Sequence, residues 1–76
     1  MTRSEFIVRL RNGLVGLPTA TANDIVADYE THFADGLAAG RTEAEVAAAL
    51  GDPGRLAREL KAEAGIQRWR QEKNPS

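Results

Sequence analysis

Apolar residues along this chain fall at helical spacing in four blocks, parted by glycine and proline. In the first block Ile7, Leu10, Leu14 and Leu17 recur at steps of three, four and three with Phe6 beside them, the stripe of an amphipathic helix. Thr2 followed by Glu5 is a capping-box pair, so that helix is expected from about Arg3 to Val15. Val8 and Val15 fall on the side opposite the stripe, either as tolerated surface valines or as a second, shallow apolar strip for another chain. Gly13 and Gly16 weaken the end of the block, and Leu17-Pro18 turns the chain.

In the second block Pro18 suits an early helical position, and either Thr19 or Thr21 could cap the helix. Ile25, Val26, Tyr29, Phe33 and Leu37 share its apolar face, with Ala22 and Gly36 as small neighbours, and Gly40 is its stop. Thr42 and Glu45 form the next capping box, opening a short helix from Glu43 to Leu50 that buries Val46 and Leu50 among alanines. Gly51 closes it, while Asp52 and Pro53 are a preferred N-cap and first residue, making Leu50-Gly51-Asp52-Pro53 a corner between helices. Leu56, Leu60 and Ala64 carry the stripe of the fourth helix, which Gly65 is expected to interrupt, leaving Ile66 and Trp69 off the stripe.

Every block is thus helical. The expected architecture is an all-α domain, a small four-helix bundle with a short third helix and tight glycine-capped turns, spanning residues 1–72 with a frayed tail at 73–76. Its core is expected from Phe6, Leu10, Leu14, Leu17, Ile25, Tyr29, Phe33, Leu37, Val46, Leu50, Leu56 and Leu60.

Charge changes this picture more than composition does. The sum is -1, but residues 1–18 set three arginines against Glu5, a balance of +2. Residues 19–52 set seven acids against Arg41, a balance of -6, and residues 53–76 set six bases against three glutamates, a balance of +3. Either the basic arms fold over the acidic centre or the centre awaits a partner. A chain of 76 residues hides only roughly 60% of the surface that its unfolded form exposes. A partner, or self-association into a homodimer, would cover more. With no cysteine, no secretory leader and no run of about 20 apolar residues, the chain as it stands is cytosolic in character.

On the second helix Asp24, Asp28 and Asp35 line one edge, with His32 between that edge and the core. The spacing puts the imidazole within reach of Asp28 and Asp35, an arrangement suited to a pH-responsive contact or to a boundary histidine hydrogen-bonded to Asp28 or to backbone. One histidine and two aspartates make only half a coordination sphere, so neither a metal nor a cofactor is expected. Catalysis is not expected either. The serines, Ser4 and Ser76, sit at the two ends, and the glycines follow no phosphate-cradling spacing.

Two readings of the paired helices compete. Glu43 to Leu50, a turn, and a helix bearing Arg55, Arg58 and Lys61 imitate helix-turn-helix DNA binding. Against that, the second helix lacks the Gln, Asn and Ser residues that contact base edges, and the -6 centre would repel phosphates. The other reading is a protein-docking module. The succession Phe6, Leu10, Leu14, Leu17-Pro18, Asp28-Tyr29, His32-Phe33, Gly36, Gly40, Thr42-Glu43, Glu45, Leu50-Gly51-Asp52-Pro53 and Ala57 resembles the HAAS signalling domain over roughly residues 3–64. Its most specific piece is Y-x-x-H-F-x-x-G from Tyr29 to Gly36, set at the right distance from L-G-D-P at 50–53.

The resemblance implies a non-catalytic cytosolic bundle at the N-terminus of membrane-anchored proteins. Such a bundle docks directly on PadR-type winged-helix transcription regulators and relays membrane signals to them, with no direct nucleic-acid contact of its own. Transmembrane segments follow the domain in that family and none follows in these residues, so the chain is expected to be the soluble piece of a longer protein, tethered at the inner face of the membrane, or a stand-alone version. The end carrying Arg68, Trp69, Arg70 and Lys73 reads as a cytosolic approach to a membrane or as a solvated helix end. Thr19 to Asn23 departs from the family, where acidic residues are more usual. The contact surface is expected on the acidic edge, Asp24, Asp28 and Asp35 with His32, because clustered like charge costs stability unless something neutralises it.

Overall fold

The computed structural model describes residues 1–73, with side chains as far as Ala64. Four helices follow one another: α1 Arg3–Gly13, α2 Thr19–Ala38, α3 Glu43–Leu50 and α4 Pro53–Lys73. Among the described residues there is no strand, and the all-α expectation holds.

The local chemistry explains most of the boundaries. The Glu5 N–H donates to Thr2 Oγ1 at 3.1 Å, and the Thr2 hydroxyl donates to Glu5 Oε1 at 3.3 Å. At α3 the capping box is complete: the Glu45 N–H donates to Thr42 Oγ1 at 3.1 Å and the Thr42 N–H to Glu45 Oε1 at 3.2 Å. The Arg55 N–H donates to Asp52 Oδ2 at 2.9 Å, capping α4 ahead of Pro53. The end of α2 is a Schellman motif, with the Arg41 N–H on the Gly36 carbonyl at 2.9 Å and the Gly40 N–H on the Leu37 carbonyl at 3.0 Å. Gly40 takes φ +87° there. Gly51 closes α3 differently, with φ 93° and ψ -166°, a mirror-extended conformation that is essentially restricted to glycine.

Three boundaries differ from the sequence reading. Helix α1 stops at Gly13, short of Val15. Neither Thr19 nor Thr21 caps α2: Pro18 holds the N-cap position and both threonines are already helical, so neither hydroxyl precedes the N–H groups it would have to reach. Helix α4 runs through Gly65 to Lys73, since a glycine away from a cap costs a helix only about 1 kcal/mol relative to alanine. Of the tail expected at 73–76, Lys73 is the last residue of α4 and Asn74 to Ser76 lie outside the described residues, as do the side chains of Ile66, Arg68, Trp69, Arg70 and Lys73.

Helix α1 is the hub. It packs against α4, α2 and α3, and α2 packs in turn on α3. Phe6 is fully buried at the centre, its ring 5.3 Å from that of Phe33 in an edge-on arrangement and 6.1 Å from that of Tyr29. Leu10, Leu14, Val26, Val46, Pro53 and the small Ala22, Ala47 and Ala57 complete the buried set. Leu17, Ile25, Tyr29, Leu50, Leu56 and Leu60 pack around it half-buried, with Ile7.

The alanines belong to the core because two glycines bring helices into close contact. A Cβ on Gly13 would meet Ala57 Cβ at 2.5 Å, and one on Gly36 would collide with Val46 Cγ2. Leu37 departs from the expected core and is 41% exposed. It lies in the last turn of α2, where the helix has outrun the shorter α1 and the neighbour, α3, is packed on Gly36 instead.

Candidate functional site

Helix α2 has two faces. Ala22, Val26 and Phe33 are buried against the rest of the molecule, with Ile25 and Tyr29 half-buried, and this leaves Asp24, Asp28, His32 and Asp35 exposed along one outer edge. All four predicted contact residues therefore share a surface. They do not all share a cavity. His32 and Asp35 line an open groove of about 350 Å³ between α2 and α3, together with Gly36, Ala39, Arg41, Val46, Ala49 and Leu50. Asp24 and Asp28 lie further back along α2, outside the groove.

Gly36, Ala39 and Ala49 line the groove with small side chains or none. Its floor is apolar, from Val46, Leu50, Ala39 and Ala49, and its rim is polar, from His32, Asp35 and Arg41. Sequence reasoning identified Gly36 as a small packing residue but missed the groove and the part of Arg41 in it. The signal was a glycine one helical turn from both His32 and Ala39.

The expected imidazole–carboxylate contact is not formed. Among the described residues no hydrogen bond or ion pair joins His32 to Asp28 or Asp35. Its ring lies 5.7 Å from that of Tyr29 at a 43° tilt. Covering part of an aromatic neighbour outweighs a fully solvated charge contact, whose net worth is small. Nor do the basic arms neutralise the acidic centre within the described residues. The ion pair found there, Arg55 Nε to Glu59 Oε1 at 3.4 Å, is internal to α4. The polar links to the centre are the Arg3 backbone N–H to Glu43 Oε1 at 2.6 Å and Arg11 Nη1 to Asn23 Oδ1 at 2.9 Å. Neither touches Asp24, Asp28 or Asp35.

Among the described residues no three of His, Asp and Glu are grouped to hold a metal ion. Ser4 is exposed on α1, remote in sequence from the only histidine. The helix-turn-helix imitation also weakens, because α3, joined to α4 by a tight corner, packs on α2 and α1, and α4 on α1, rather than substantially on each other. No helix of the described residues is long and apolar enough to cross a membrane.

Comparison with known sequences agrees with the motif reading. The sequence model of the HAAS family matches residues 5–59, from the first turn of α1 to the second turn of α4. No curated protein and no solved structure matches the chain.

Proposed function

The chain belongs to the HAAS family, and from that premise we propose that it is a non-catalytic docking domain that passes a signal from a membrane protein to a transcription regulator of the PadR type by direct contact. The docking surface in this reading is the outer edge of α2, Asp24, Asp28, His32 and Asp35, continued into the groove that His32 and Asp35 share with α3. One observation carries it: within the described residues the three aspartates have no cationic partner, although the same chain supplies Arg9, Arg58 and Lys61. A row of like charge left unpaired raises the energy of the free domain and lowers it again when a basic surface covers it. The apolar floor alongside supplies the area that charge alone does not, since central apolar contacts carry most binding energy.

The test is a titration of the domain against a PadR-type regulator at several salt concentrations, with the wild type and the D28K/D35K variant. Charge reversal is expected to weaken binding at least tenfold and to flatten its salt dependence. Unchanged affinity and salt slope would remove this surface from consideration. A gel shift with duplex DNA at moderate salt separates the DNA-binding alternative, and no shift is expected.

A further inference from the structure

Arg41 is the charged part of the groove that the docking surface described above does not use. It is the single cation between Thr19 and Asp52, against seven acids, yet no ion pair among the described residues involves it. The acids nearest in sequence are engaged elsewhere. Glu45 Oε1 accepts the Thr42 N–H at 3.2 Å and Glu43 Oε1 accepts the Arg3 N–H at 2.6 Å, so both carboxylates are taken up at helix starts. Asp35 lines the same groove and is not paired with Arg41 either.

Backbone bonding sets the position of Arg41. Its N–H closes the Schellman motif on the Gly36 carbonyl at 2.9 Å, and Gly36 is itself part of the groove lining. The exposed side chain lines the groove from the link between α2 and α3, while Asp35 lines it from α2. Val46, Ala49 and Leu50 of α3, with Ala39, supply the apolar part. An occupant therefore meets one charge of each sign beside an apolar floor.

We propose that Arg41 is a specificity-determining contact of the docking site: the segment of the regulator that the groove accepts carries a carboxylate for Arg41, an apolar side chain for the floor and a cation for Asp35. This rests on the docking reading given above, and it adds an acidic group to a partner surface otherwise described only as basic. A guanidinium offers a carboxylate two parallel N–H donors, which a lysine cannot. Charges of both signs on one rim admit the segment in one orientation, since the reversed one sets like charge against like. The groove thus selects among basic partners instead of attracting all of them.

The test measures affinity for the PadR-type regulator at low salt with wild type, R41K, R41Q and R41E, and with D28K/D35K alongside. If the groove only attracted positive charge, removing the charge of Arg41 would tighten binding and reversing it would tighten binding further. The proposed contact requires the opposite order. R41Q should bind about fivefold more weakly than wild type, the upper reach of an exposed ion pair, and R41E more weakly again, with R41K above R41Q. Each variant keeps the backbone N–H that closes α2, and circular dichroism checks its helix content. An R41Q that binds as tightly as wild type or more tightly overturns the proposal, as does an R41K that loses as much as R41Q. Either result leaves the acidic edge standing as long as D28K/D35K still weakens binding. A wild type that does not bind the regulator removes the docking reading and this proposal together.

Discussion

Side-chain size at single positions decides where these helices touch. Gly36 is the sharpest case, since any Cβ there collides with a methyl of Val46. Gly36→Ala is expected to destabilise the domain by about 1–3 kcal/mol, the usual cost of forcing extra volume into a packed contact, and Val46→Ala in the same chain should recover part of it. Leu37, the next residue, is the control: being 41% exposed, it should tolerate Leu37→Ser with a loss well below the 2–5 kcal/mol, roughly, of a truncated core leucine. Urea unfolding followed by circular dichroism measures both. Periodicity alone ranks these neighbours the other way, because it shows that Leu37 shares a face with Phe33 but not that α1 has ended by that turn. The distinction depends on which helix lies opposite, and that is a contact between segments.

Helix ends are settled over three or four residues, and so the caps of α3 and α4 were legible in the sequence while the start of α2 was not. Thr42 and Glu45, and Asp52 with Pro53, each have one reachable set of N–H groups and form the bonds expected of them. Around Pro18, three residues compete for one role, and the one without a side-chain hydrogen bond takes it. The two threonines at these two helix starts should therefore behave differently. Thr42→Ala should cost about 1 kcal/mol, the worth of a lost N-cap hydroxyl, whereas Thr21→Ala should leave the melting temperature near its original value. A thermal melt of the two variants beside the wild type checks the contrast. A similar rule explains α4 at Gly65: a glycine stops a helix when the following residues offer a closing motif, and otherwise only weakens it.

At the scale of the whole molecule, α1 joins every other helix and Phe6 sits at the meeting point. Phe6→Ala should remove about 3–5 kcal/mol, much of what a domain this small has, so the helices should be lost in one transition rather than singly. The residue-level legibility of the core follows from this geometry. Phe6, Leu10, Leu14 and Phe33 stand on faces that the pattern identifies, while Ala57 is buried where Gly13, with no side chain, lets α1 and α4 approach closely. The candidate site was legible as a row of residues on α2 but not as a groove, because the groove is made by α3.

The acidic edge ties fold to function through opposite demands. Asp24 and Asp28 are like charges one turn apart, and Asp35 stands in the last turn of α2, where the helix dipole disfavours an anion and no basic residue compensates. Asp28→Asn with Asp35→Asn keeps the shape and removes these repulsions, so the free domain should gain a few tenths of a kcal/mol in stability. The same pair should weaken regulator binding and reduce its salt dependence, because the anions that strain the free helix are the ones a basic partner would cover. A chain selected for stability alone has no use for anions at these positions. The proposal therefore requires that the double variant melt higher and bind less tightly. Higher melting with unchanged binding would leave the edge as unfavourable surface charge with no part in recognition.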